Sequence, residues 1–133
     1  MKYAVLNAKD ELVTTADVDD INDAKRIAGL EPIGVDHGTI SRGMGIVVYE
    51  YGLMEPHDHY MIINRQLYAG NAVIYSYDTA GETVDVGELP DVKFLHGVMA
   101  VEQAIKAGEA IRPYVAVNGA KLAIWRHGAL RSV

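Results

Sequence analysis

The run Ile46-Val47-Val48-Tyr49-Glu50-Tyr51 decides the fold class, since five of its six residues are β-branched or aromatic. Such a run fits a pleated, half-buried surface, so it reads as a strand. Two further strands follow, His59 to Ile63 and Leu67 to Tyr77, joined by a tight turn at Asn64-Arg65. Gly70 marks a bulge inside the second. Asp78-Thr79-Ala80-Gly81 is turn chemistry, and Thr83 to Val86 and Val92 to Leu95 are short strands beyond it. The middle of the chain is therefore a meander.

Upstream of that run, Lys2 to Leu6 reads as a first strand, with Leu12 to Thr14 as its hairpin partner. Asp17 is the N-cap of a first helix, in which Val18, Ile21, Ala24, Ile27 and Ala28 recur at helical spacing. Asp19 and Asp20 suit its first turn and Gly29 its stop. The glycines at 34, 38, 43 and 45 read as an irregular connection.

Downstream, Val98 to Ala107 is a second helix that buries Val98, Val101, Ala104 and Ile105 and ends at Gly108. Tyr114 to Val117 and Lys121 to Trp125 flank Asn118-Gly119, the dipeptide best suited to a two-residue hairpin turn. Most connections are too short for parallel crossovers. The expectation is one α+β domain over residues 1–133, with a mainly antiparallel mixed sheet of about seven or eight short strands. It combines a meander, a C-terminal hairpin and two helices on one face.

Composition narrows the function classes. The chain has 133 residues, half of them hydrophobic and 23% charged, which is globular rather than disordered usage. Cysteine is absent. That removes disulfides, a thiolate nucleophile, Cys-ligated zinc and iron–sulfur clusters. Met1 to Asn7 is too short an apolar run for a signal peptide, and no stretch approaches the ~18 apolar residues of a membrane span. A cytoplasmic protein with no membrane partner is expected.

Net charge is −6, distributed unevenly. Between Glu31 and Asp91 ten acids face only Arg42 and Arg65, whereas Ala110 to Val133 holds no acid beside Arg112, Lys121, Arg126 and Arg131. The basic tail can fold back over the acidic middle, or form a small anion site. An acidic middle repels phosphates, which argues against a nucleic-acid partner.

His57-Asp58-His59 is the one constellation with ligand-like spacing. In an extended segment both imidazoles project to one side and can reach one metal, with His37, His96, Glu50 or Asp36 as a third ligand. The plain alternative is two exposed polar residues at a loop-to-strand junction. Asp36-His37-Gly38 has the residue types of a catalytic dyad, but sits where turn-formers belong. The chain has no Gly-x-Ser-x-Gly elbow, His-Glu-x-x-His helix, Walker loop or dinucleotide fingerprint. A calcium-loop reading of the acids after Asp17 fails at Ile21, Asn22 and Ala28.

The eight tyrosines are more suggestive. Tyr49 and Tyr51 share one strand face, Tyr75 and Tyr77 share another, and Tyr60 lies on a neighbouring strand. Such a face can stack on a ring-shaped ligand or a partner, or simply lie under helices. Trp125 can cap the core or anchor an interface from the closing hairpin. The leading expectation is a non-enzymatic binding or assembly module, a homo-oligomer and most simply a dimer, with no cofactor. The alternative is a small metal-binding protein or metal-dependent enzyme centred on His57 and His59, holding a divalent metal.

Overall fold

A computed structural model describes residues 1–30, 35–49, 57–109, 123–126 and 129–132. The chain opens with a hairpin of β1 (Lys2–Asn7) and β2 (Leu12–Asp17), in register from Lys2 opposite Asp17 to Asn7 opposite Leu12. Its turn is held by Asn7, whose Oδ1 accepts from the Asp10 N–H at 3.0 Å. β2 runs three residues further than its sequence suggests. Asp17 is its last residue, and its carboxylate meets the Met1 ammonium at 3.0 Å.

Helix α1 (Ile21–Ile27) is therefore capped by Asp20 and not by Asp17. Asp20 has extended backbone angles, and its side chain accepts from the N–H groups of Asn22 and Asp23 at 2.8 and 3.2 Å. Those are two of the donors that a helix start leaves unpaired. The helix stops as expected at Gly29 (φ 75°), where the Leu30 N–H reaches the Lys25 carbonyl and the Gly29 N–H the Arg26 carbonyl. This is a Schellman closure, with Leu30 buried behind it. Ile27, assigned to the apolar stripe, is 59% exposed.

The glycine-rich stretch is a strand, not an irregular connection. β3 (Val35–Ser41) pairs with β4 (Met44–Tyr49) across Arg42-Gly43, with a register shift between Thr39 and Ser41. Main-chain pairing to a strong neighbour overrides the weak strand preference of Asp36 and Gly38. β5 (His59–Ile63) and β6 (Gln66–Ala69) form a hairpin, with Asn64 and Arg65 both at positive φ as a primed turn requires.

Leu67 to Tyr77 is not one bulged strand. Gly70 (φ 75°) ends the β6 stretch, and β7 (Ala72–Tyr77) departs into a different sheet. β8 (Thr83–Val84), β9 (Val92–His96), α2 (Val98–Lys106), β10 (Ala123–Arg126) and β11 (Ala129–Ser132) complete the described elements. The strand that carries Trp125 is thus β10, and it pairs forward with β11 across His127-Gly128. The hairpin expected about Asn118-Gly119 falls outside the described residues.

The fold is α+β, and every described strand pairing is antiparallel. One sheet has the order β2-β1-β7-β4-β3, with β8 also on β7; a second has the order β6-β5-β9; β10 and β11 form a separate pair. The described strands number eleven. The surplus over expectation comes from β3, the split at Gly70 and β11.

The two larger sheets pack face to face. Ala4, Leu6, Met44, Ile46, Ala72 and Ile74 of the first meet Met61, Ile63 and Tyr68 of the second. The opposite face of the first sheet (Tyr3, Val5, Val47, Val73) is covered by Ala24 and Ala28 of the α1 segment. The opposite face of the second (Tyr60, Ile62, Leu67, Leu95) is covered by Val101 and Ala104 of α2. The helices therefore lie on opposite outer sides of a sandwich and not on one face. Two sheets with four apolar faces need a cover at each outer side.

Two outcomes are expected. Asp20→Ala should lower stability by about 1 kcal/mol through loss of the cap, whereas Asp17→Ala, an exposed ion pair, should cost under about 0.5 kcal/mol in the same urea titration. The second concerns Tyr68, whose phenol is pushed up from 10.0 to about 12 by burial between the sheets. Ionisation is easier in the unfolded chain, so the stability Tyr68 lends is complete below pH 10 and lost as pH climbs through about 12. Urea midpoints of Tyr68→Phe should fall less steeply than wild type over that interval.

Candidate functional site

The antiparallel pairing of β5 with β9 places His59 directly opposite His96. Their side chains start from neighbouring positions on one face, as cross-strand partners do. The rings stand at 90° with Nδ1 facing Nδ1 at 3.0 Å. From the turn of the β1–β2 hairpin, Glu11 (φ 55°) reaches His96 Nε2 with its carboxylate at 2.8 Å. Three elements thus meet in one line: Glu11, then His96, then His59.

The line fixes proton positions. An ionised carboxylate only accepts, so His96 Nε2 carries a hydrogen and donates it to Glu11. When His96 is neutral, its Nδ1 lone pair accepts from His59 Nδ1–H. His59 Nε2 is then left with its lone pair on the far side of the ring. A carboxylate that holds a histidine in this way fixes its tautomer and ring orientation, as it does for metal-bound histidines. The same line is poorly shaped for chelation, because His96 turns one nitrogen to each neighbour. Among the described residues no group of three metal-ligating side chains converges.

His57 goes elsewhere. Its N–H donates to the Tyr60 hydroxyl at 3.2 Å, and its ring stands edge-on to Tyr49 and Tyr60 with centroids 6.4 and 6.2 Å away. Burial raises the Tyr60 phenol; the His57 N–H pulls it back, and Asp58 adds to the rise. Of the third ligands considered, His96 joins His59, while His37 lies edge-on to Tyr75 at 6.3 Å. Glu50 and the Asp36 side chain are outside the described residues.

β4 and β7 do pair, and the register puts Gly45 opposite Tyr75. Alternation then sets Tyr49, Tyr75 and Tyr77 on the same face of the first sheet. The Tyr75 ring lies across the Gly45 backbone: a Cβ there would come within 2.4 Å of it. Tyr77 flanks that ring at 6.2 Å and His37 at 6.3 Å. Tyr75 and Tyr77 are half-buried and His37 is exposed, whereas Val47 and Val73 on the same face are sealed. Burial, and next Tyr77, raise the Tyr75 phenol, which stays protonated.

The aromatic residues thus fall into two groups: Tyr75–Tyr77–His37, and Tyr49–His57–Tyr60, with Tyr60 in the second sheet. Tyr51 and the side chain of Trp125 are outside the described residues. An open depression of about 530 Å³ lies at the far end of the second sheet, between Asn64, Arg65, Val92, Lys93 and Glu109. Asp91 lines it as well, and its two basic side chains make contacts within the chain. Lys93 pairs with Glu109 at 2.5 Å, and Arg65 donates to the Gly108 carbonyl at 3.1 Å.

Sequence reasoning missed Glu11, and it weighed His96 only as a metal ligand. The signal that would have found the pair is the β5–β9 register, which no local pattern supplies. Comparison with protein-family models, curated proteins and solved structures found no match to the chain. Among the described residues no helix is long and apolar enough to cross a membrane.

Long-range ¹⁵N–¹H spectra near neutral pH should show His59 as the Nδ1–H tautomer and His96 as the Nε2–H tautomer. In His96→Ala, His59 should revert to the commoner Nε2–H form. Two Nε2–H rings in the wild type would show that the Nδ1 contact does not form.

Proposed function

We propose that the chain is a non-enzymatic binding and assembly module, acting as one domain and as a homodimer in the cytoplasm. The observation that carries the reading is the Tyr75 ring laid across Gly45 between Tyr77 and His37. Half-buried phenols backed by a sheet make a rigid, apolar platform with polar edges. The segment that supplies it carries ten acids against two arginines. A neutral or cationic planar group is therefore preferred over an anionic one, and nucleic acid is disfavoured. Leu12 and Val13, adjacent and exposed on the edge strand β2, support self-association.

Benzamidine, indole and naphthalene-2-sulfonate serve as probes of the platform. Saturation-transfer NMR should show benzamidine and indole contacting the Tyr75 ring and naphthalene-2-sulfonate contacting it less. Tyr75→Ala with Tyr77→Ala should abolish the transfer. Gly45→Ala should weaken it by displacing the ring while leaving both tyrosines present. Equal transfer in wild type and double variant would remove the platform reading.

A second reading rests on the Glu11–His96–His59 line, which orients His59 as one ligand to a divalent metal. Native mass spectrometry of untagged protein with added Zn²⁺ tests it. A stoichiometric adduct lost in His59→Ala would promote it over the platform.

A further inference from the structure

We propose that two copies of this chain join through β2, which pairs antiparallel with β2 of the second copy about a two-fold axis at Thr14. The inference rests on the reading of the chain as self-assembling, and it names the surface. Among the described residues β2 pairs only with β1, and no described strand lies along its outer edge.

Natural sheets blunt such edges with charge, bulges or brevity. The other edges here are treated in that way. β3 carries Asp36 and His37 and has the register shift between Thr39 and Ser41. β6 has four residues, β8 has two, and β9 carries Lys93 and His96. β2 has its single charge, Asp17, at its last position; the five residues before it, Leu12-Val13-Thr14-Thr15-Ala16, are free of charge, with three β-branched residues in succession. Leu12 and Val13 are 52% and 43% exposed.

Symmetry then fixes the register. A two-fold relating antiparallel edge strands stands perpendicular to the sheet, so opposed residues must point to the same face. The axis therefore passes through a residue and not between two. Centred on Thr14, it opposes Thr14 with Thr14, Val13 with Thr15, and Leu12 with Ala16, using the whole charge-free stretch. A shift to Thr15 sets Asp17 against Val13, and a shift to Val13 sets Glu11 against Thr15. With the axis on Thr14, Glu11 lies opposite Asp17 of the other copy at each end of the paired stretch, a like-charge opposition that counts against pairing there. There Glu11 is engaged by His96 and Asp17 by the Met1 ammonium. Pairing of this kind joins the first sheets of the two copies edge to edge and turns both tyrosine platforms to the same side.

The chain has no cysteine, so single cysteines report the register directly. Full-length Thr14→Cys should form a disulfide-linked dimer under mild oxidation, since residues on the axis lie within bridging distance. Thr15→Cys and, on the β3 edge, Thr39→Cys should remain largely unlinked. In sedimentation equilibrium Thr14→Lys should weaken the dimer about tenfold or more, by setting two ammonium groups against each other. Unchanged thermal unfolding of the monomer would show that its fold is intact. A faster Thr15→Cys cross-link would overturn the register. A wild-type dimer with Thr14→Cys no more reactive than Thr39→Cys would overturn the β2 interface and leave self-assembly standing. A wild type that stays monomeric at tens of micromolar would overturn both.

Discussion

Burial of the first sheet on both of its faces is the constraint from which the remaining architecture follows. Tyr3, Ala4, Val5 and Leu6 of β1, and Ala72, Val73 and Ile74 of β7, are all sealed although they alternate between faces. A sheet in that position needs a partner layer on each side. The second sheet supplies one and α1 the other, and the second sheet, apolar on its own outer face, in turn requires α2. Asn71 ties this arrangement together where the chain crosses between sheets. Its Oδ1 accepts from the Ala8 N–H at 3.0 Å, and its Nδ2 donates to the Ala28 carbonyl at 2.9 Å. One side chain thus satisfies the end of β1 and the end of the α1 segment, groups that would otherwise be costly to bury.

What could be read from the sequence was what local chemistry determines. The Asn64-Arg65 turn, the β5 limits His59–Ile63 and the stops at Gly29 and Gly108 depend on residues within a few positions of each other. The misplacements share a different cause. Asp17 and Asp20 are both acceptable caps by type, and only the length of the β1–β2 pairing, which carries β2 to Asp17, decides between them. The β3 strand is a poor strand by composition and exists because β4 offers it a ladder. Gly70 reads in the sequence as a bulge inside one strand. Whether it bulges one strand or sends two strands into two sheets is a tertiary question that a single glycine does not answer.

The candidate site shows the same division more sharply. His-x-His spacing places two imidazoles on one side of an ideal strand, but β5 begins at His59 and His57 precedes it. Outside the ladder the alternation rule no longer holds. His57 turns to Tyr49 and Tyr60 while His59 is claimed by its cross-strand partner. The partner that completes the relay, Glu11, is 85 residues from His96 in the chain. Among the tyrosines, Tyr75 and Tyr77 needed only strand alternation to be placed on one face. Their platform depends also on Gly45, which in the sequence reads as part of an irregular connection and whose use here is its lack of a side chain.

The relay and the platform differ in what they demand of the fold. Glu11, His96 and His59 come from a hairpin turn and the ends of two strands, so their alignment requires both sheets to be in place. His37, Gly45, Tyr75 and Tyr77 come from three adjacent strands of one sheet, and the β-ladder alone sets their spacing. A contact carried by the ladder survives small slips of one layer over another, whereas a contact that bridges the layers does not. Rigid placement on paired strands is what a binding surface needs, because little ordering remains to be done when the ligand arrives. The sheet that carries the platform is also the sheet whose edge strand is β2, so pairing along that edge changes the number of platforms on one face without altering any of them.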